Sequence, residues 1–172
     1  MDNMILDELR AQLAQYHIEP ITPETFDSVY TVYDTNQAYN IAVDGEPTTP
    51  EKSRADMTNL PPGHTLEQKL YASVWQGEQP VAIIDLIEDL PSKGIMWLSM
   101  LTVHGDCHGK GIGHGIAQGI LRAASRLGYT AVRLGVMQSN QGVLPFWMKQ
   151  GFSAIYEKDA IIVMEQSLEV VL

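Results

Sequence analysis

The stretch from Gly94 to Leu127 constrains this chain more than any other. It opens on the near-continuous apolar run Gly94–His104 (GIMWLSMLTVH), the pattern of a central strand buried on both faces. A polar loop follows, with glycines at 105, 109, 111 and 113. A helix over Gly109–Leu127 begins at once, and Ile112, Ile116, Ile120, Leu121 and Ala124 give it an apolar stripe. Arg122 and Arg126 fall near its C-terminal end, where cations suit the helix dipole, and Gly128 is its stop. A buried strand feeding straight into an amphipathic helix requires stacked layers of sheet and helix.

The rest of the chain supplies those layers. Asp7–Tyr16 reads as a short helix and His17–Ile21 as a short strand. Thr22-Pro23 resembles a cap and first-turn proline before a helical segment over Glu24–Ile41. Asp44–Pro50 is a break, Glu51–Leu60 another short helix, and Pro61-Pro62-Gly63 its end. Gln68–Trp75 and Pro80–Glu88 then read as an antiparallel hairpin joined by Gln76–Gln79. Thr130–Met137 is a strand, Asn140–Gln150 a short helix containing Pro145, and Gly151–Tyr156 with Ala160–Glu165 a final hairpin. The expected fold is an α/β (α+β) domain over 1–172, with a mixed, mostly antiparallel sheet of six or seven strands flanked by helices.

Composition narrows the class. The 172 residues are 45% apolar and 19% charged, which is globular, and no apolar run reaches the roughly 18 residues of a membrane span. The acidic start MDNMILDELRAQ does not read as a signal peptide, so a cytoplasmic location is expected. A net charge of −10 argues against nucleic acid, which needs a basic footprint. An acidic surface attracts cationic partners such as amines, and it is also what an ordinary soluble surface looks like. Cys107 is the single cysteine, so no intramolecular disulfide forms. His104, His108 and His114 lie near it in a loop and early helix, where a closed tetrahedral metal site is not expected.

A loop of this kind aims backbone N–H groups at one point, at the positive end of a helix, and binds a phosphate or diphosphate with little side-chain help. Glycine lets the ligand come close. A Walker loop is poorly supported, because Gly109-Lys110 is followed by Gly111 and not by Ser or Thr. A dinucleotide fingerprint would need glycine where His114 or Ile116 stands. The bland alternative is a glycine-rich turn that holds nothing, at a stability cost without return.

The run V-H-G-D-C-H-G-K-G-I-G resembles the acetyl-CoA signature of the GNAT superfamily of N-acetyltransferases, Q/R-x-x-G-x-G/A, with His108 in the Q/R place and Gly111 and Gly113 as its glycines. Downstream, N-Q-G-V-L-P-F-W-M-K-Q-G-F resembles the family's second signature, with Asn140, Gly151 and Phe152 in place. The resemblance spans roughly Gln68–Glu165. It implies a splay between the fourth and fifth strands that seats acetyl-CoA as co-substrate. Pantetheine would lie against Leu101, Thr102 and Val103, with the Val103 amide polarising the thioester carbonyl. Amides of His108, Gly109, Lys110, Gly111, Ile112, Gly113 and His114 would hold the diphosphate, Lys110 could reach a phosphate, and Asn140 would bond the pantetheine arm. Residues 67–166 would be the acetyl-CoA-binding core, and 1–66 the acceptor side, with Tyr30, Tyr33 and Tyr39 as possible lining. Dimers are common in the family, so a homodimer is a further expectation.

The sequence departs from the family at two places. His108 replaces the usual glutamine or arginine, and Trp147 stands where many members carry a tyrosine that protonates the leaving thiolate, which an indole cannot do. Tyr156 is the nearest later tyrosine. The implied reaction is direct attack of a free amine on the thioester, which needs a base. Asp85 and Glu88 are the candidates, on opposite faces of one strand by alternation, with Ser99 and His104 as weaker options. A non-catalytic acyl-CoA-binding sensor would share the same loop.

Overall fold

The apolar runs become the strands of one sheet. The computed structural model describes residues 3–169. Among these residues, seven strands lie in the order β1-β2-β3-β4-β5-β7-β6. They are β1 His17–Pro20, β2 Lys69–Gln76, β3 Gln79–Glu88, β4 Ile95–Val103, β5 Ala131–Met137, β6 Ser153–Lys158 and β7 Ile161–Ser167. Neighbours are antiparallel except β4 and β5, whose parallel pairing needs a crossover. Helix α5, Ile112–Arg126, supplies it. The mixed, mostly antiparallel sheet expected from the sequence is present.

Helices cover both faces. On one face α1, Met4–Gln12, packs beside α5 over Leu70, Ala72, Val74, Ala82, Ile84 and Leu86. Gly119 lets the two helices approach this closely, since a Cβ there would stand 2.5 Å from the Leu13 side chain. Arg126 closes the rim with an ion pair to Glu8 (2.7 Å), and Arg122 donates to the Gln12 carbonyl (3.2 Å). The end of α5 is a Schellman turn, with Tyr129 N–H on the Ala124 carbonyl, Gly128 N–H on the Ser125 carbonyl and Gly128 at φ 88°.

On the other face α2, Phe26–Asp34, lays Phe26, Val29, Val32 and Tyr33 over Tyr71 and Ile83. Its entry is capped as the sequence suggests, by reciprocal side-chain bonds between Thr22 and Thr25, and Phe26 N–H bonds the Thr22 carbonyl. The single helix expected over Glu24–Ile41 is instead two, α2 and α3, Gln37–Asp44. Asn36 breaks it: its amide donates back to the Val32 carbonyl (2.7 Å) and across to the Val103 carbonyl (2.9 Å). Side-chain competition of this sort ends helices. The segment expected as one helix over Glu51–Leu60 is α4, Pro50–Arg54, plus a single 3₁₀ turn, Ala55–Met57. The Asn140–Gln150 helix is likewise reduced to α6, Leu144–Lys149, after a 3₁₀ segment in which Asn140 is non-helical.

Two irregularities shape the centre. Leu86 pairs with Leu98 and Asp85 with Met100, so Ser99 is an extra, bulged residue of β4. Just before it, β4 and β5 part. They pair only at Ile95–Ala131, Met96–Val132 and Trp97–Arg133, while β5 stays paired with β7 along its whole length. This is the splay between the fourth and fifth strands.

Candidate active site

The parted strands open a cleft of about 810 Å³. Its walls are the second half of β4 and Leu134–Met137 of β5, and its mouth is the loop into α5. His104 N–H turns back to the Val81 carbonyl of β3 (2.8 Å). Backbone groups alternate along a strand, so the N–H and C=O of Val103 and Leu101 point the other way, toward the gap. The Val103 carbonyl is taken by Asn36 Nδ2 (2.9 Å) and His108 Nε2 (2.8 Å), which leaves the Val103 N–H and the backbone groups of Leu101 as an edge with no partner strand among the described residues.

At the mouth, Gly109 and Gly111 adopt φ 73° and 77°, left-handed conformations that disfavour any side chain, and Gly111 caps α5. The first-turn amides of Ile112, Gly113 and His114 therefore have no helical partner and face the cleft mouth. A Cβ on Gly113 would touch Val103 at 3.4 Å and Phe146 at 3.5 Å, so this turn sits close against the cleft wall. Of the residues proposed from sequence to hold the cofactor, every one except Lys110 lines the cleft; Lys110 is exposed on the loop. His108 turns inward, its Nε2–H donating to the Val103 carbonyl (2.8 Å). It braces the strand end and does not reach out as the usual glutamine or arginine would.

A second hollow of about 480 Å³ lies on the α2 side and shares the bulge residues Ser99 and Met100 with the cleft as lining. Asp85 lies within it, 4% exposed. Lys69 Nζ donates to Asp85 Oδ2 (2.8 Å) and to the Asn59 carbonyl (2.9 Å), while Asp85 Oδ1 is buried with no hydrogen-bond partner among the described residues. Burial pushes the Asp85 carboxyl up to about 6, with Lys69 pulling against the rise. Asp56, also lining this hollow, is raised by burial as well and accepts a hydrogen bond from the Tyr33 hydroxyl (2.8 Å). Tyr33 in turn is hydrogen-bonded to Tyr71, and burial raises both phenols.

The other sequence candidates fall elsewhere. Glu88 accepts the Tyr129 hydroxyl (2.6 Å) at the far end of β3 and lines neither hollow. Tyr156 is exposed on the outer strand β6, away from the cleft. His104 is buried and fully engaged: Asp106 N–H donates to Nδ1, so the proton sits on Nε2 and goes to Thr31 Oγ1 (3.1 Å). Tyr39 lines the cleft, Tyr33 abuts Asp56, and Tyr30 lines neither hollow. Trp147 lines the cleft and stacks edge-on with Phe146 and Phe152. Lys69, Asp56, Asn36 and Phe146 were not singled out from sequence. The register of the β2–β3 hairpin, with Tyr71 opposite Asp85, places Lys69 on the Asp85 face and would have flagged it.

Among the described residues, then, the fold is an open mixed sheet parted at its one parallel pair, with the first turn of α5 at the mouth of the gap. Residues 29–152 match the profile of the acetyltransferase (GNAT) family, and the chain belongs to that family. Its fold is similar to that of an acetyltransferase from Thermus thermophilus, with TM-score 0.74 and 19% identity over 90% of this chain and 97% of that one. It is similar also to PaiA N-acetyltransferase from Thermoplasma acidophilum in complex with coenzyme A, with TM-score 0.66 and 17% identity over 88% of this chain and 98% of that one. A third likeness is to the ribosomal-protein-S18-alanine N-acetyltransferase of Escherichia coli, with TM-score 0.65 and 14% identity over 91% and 96%. At these identities the likeness is one of fold. No curated protein matches the sequence significantly.

Proposed function

We propose that this chain is an acetyl-CoA-dependent N-acetyltransferase that moves the acetyl group to a primary amine of a small molecule or peptide. The observation that carries the reading is the unpaired edge of Leu101 and the Val103 N–H inside a sheet parted at β4 and β5, with the α5 amides at its mouth. In this reading pantetheine runs along that edge, the amides of residues 108–114 hold the diphosphate, and the Val103 N–H stabilises the oxyanion. Asn140 lies at the β5 side of the cleft, where it bonds the pantetheine arm.

Asp85 is the base. Its raised carboxyl is better matched to neutral pH than an ordinary aspartate. It takes one proton from the acceptor ammonium. The neutral nitrogen then bonds to the thioester carbonyl carbon and the C–S bond breaks with its electron pair on sulfur. The new amide sheds its second proton to solvent, and the thiolate takes a proton from water. A thiol pKa of about 8.5 makes it a fair leaving group without a tyrosine acid, and Trp147 serves as a cleft wall. Residues 67–166 form the cofactor core, and 1–66 the acceptor side. A cytoplasmic location and a homodimer accompany this reading.

Thermal unfolding with acetyl-CoA, ATP and NAD tests the cofactor. Ligand at ~100 times its Kd adds about 2.7 kcal/mol to stability, so acetyl-CoA alone should raise Tm. Thiol release with amine acceptors then separates an enzyme from a sensor. A rise with ATP or NAD and none with acetyl-CoA would overturn the reading.

A further inference from the structure

The hollow beside the cleft has a chemistry of its own. We infer that it is the acceptor chamber, and that it selects amines carried on an apolar body with no anionic group. This rests on the transferase reading and names its substrate class.

Position comes first. The hollow and the cleft share Ser99 and Met100 as lining residues, where β4 bulges and leaves β5. The bulge turns both residues toward the α2 side. An acceptor seated there meets the cofactor cleft at the point where the two spaces touch.

Charge comes second. Asp56 and Asp85 line the hollow, and among the described residues no Lys, Arg or His does. Lys69 lies behind Asp85 and is spent on Oδ2 and the Asn59 carbonyl, 8% exposed. Asp85 Oδ1 is left buried without a donor. A buried carboxylate oxygen with nothing to accept is rare and costly in a folded protein. An ammonium entering the hollow supplies the missing donor and the missing charge. A carboxylate or phosphate on the same molecule would meet two acids and no counter-ion.

Shape comes third. Leu60, Pro61, Ile87, Leu90, Trp97 and Met100 make up most of the remaining wall, with Asn59, whose amide donates to Asp56, among them. They offer apolar contact to the body of the acceptor and few hydrogen-bonding partners for a sugar or a peptide backbone.

Matched pairs that differ by one carboxylate test this. Thiol release from acetyl-CoA by the full chain would be followed with 2-phenylethylamine against phenylalanine, and with tryptamine against tryptophan. A like charge brought against buried acids is repelled, so kcat/KM for each amine should exceed that of its amino acid by ~100-fold or more. Asp56→Asn keeps the shape and an oxygen for the Tyr33 hydroxyl, gives up the acceptor for Asn59 Nδ2 (3.3 Å), and removes a charge. It should raise KM for the cationic amines and narrow the gap between partners, with unchanged thermal unfolding as the control for folding. Equal or faster acetylation of the amino acids overturns the inference, as does absence of turnover on both amines. A parallel titration with acetyl-CoA separates the failures. If acetyl-CoA binds while the amines fail, only the acceptor assignment falls. If acetyl-CoA does not bind, the transferase reading falls with it.

Discussion

Replacing Gly111 by glutamate and by glutamine isolates what the loop does. Both side chains impose the same strain, because Gly111 sits at φ 77°, which costs an L-residue about 1–2 kcal/mol. Neither meets a steric barrier at Cβ, since nothing lies within 4 Å of that position. The variants should therefore be equally destabilised, and they differ only in charge. A carboxylate about 5 Å from a doubly charged diphosphate is opposed by ~1.7 kcal/mol even at the dielectric constant of water, and by more at lower values. Gly111 is exposed, so the low end applies. About 1.7 kcal/mol is ~20-fold in Kd. Calorimetric titration with acetyl-CoA should show Gly111→Glu binding ~20-fold more weakly than Gly111→Gln, with the gap closing as salt is raised. Equal affinities for the two variants would remove the diphosphate from this turn.

Three further outcomes follow from the packing and the buried pair. Transfer activity should rise with pH along a limb near 6, as Asp85 loses its proton. Lys69→Met, which removes the cation holding that carboxyl down, should displace the limb upward and cost about 3–5 kcal/mol of stability by urea unfolding. Because Asp85 is raised in the folded state from 3.8 to about 6, its contribution to stability is complete below 3.8 and is lost as pH rises through 6. Asp85→Asn should therefore gain on the wild type by about 3 kcal/mol between pH 4 and 7. Leu13→Ala, at a side chain 1% exposed against Gly119, should cost about 2–5 kcal/mol and loosen α1 from α5.

Most of the architecture was legible because it is written in local periodicity. The hairpin of β2 and β3, the Gly128 stop and the glycine turn before α5 all depend on residues near one another in sequence. The losses came where tertiary contact decides. Asn36 ends α2 partly because its amide has the Val103 carbonyl to reach, 67 residues away. The apolar run of β4 reads as continuous partly because the bulge at Ser99 shifts its phase: Met96 and Leu98 face the α5 core, and after the bulge Leu101 and Val103 do. Asp85 could be placed in a buried strand from its apolar neighbours, but Lys69, its partner, became visible only with the hairpin register. Glu88 could not be told from Asp85 by type or strand. The Tyr129 hydroxyl that occupies it comes from beyond α5.

The sheet is, in effect, two slabs welded by three residue pairs, with α5 as the strap across the weld. Whatever lies along the open edge of β4 becomes a rivet between the slabs. Amide protons of Leu101 and Val103 should exchange freely with deuterium in the empty chain and slow once the gap is filled. The molecule would then hold its halves together most firmly while loaded and loosen on discharge.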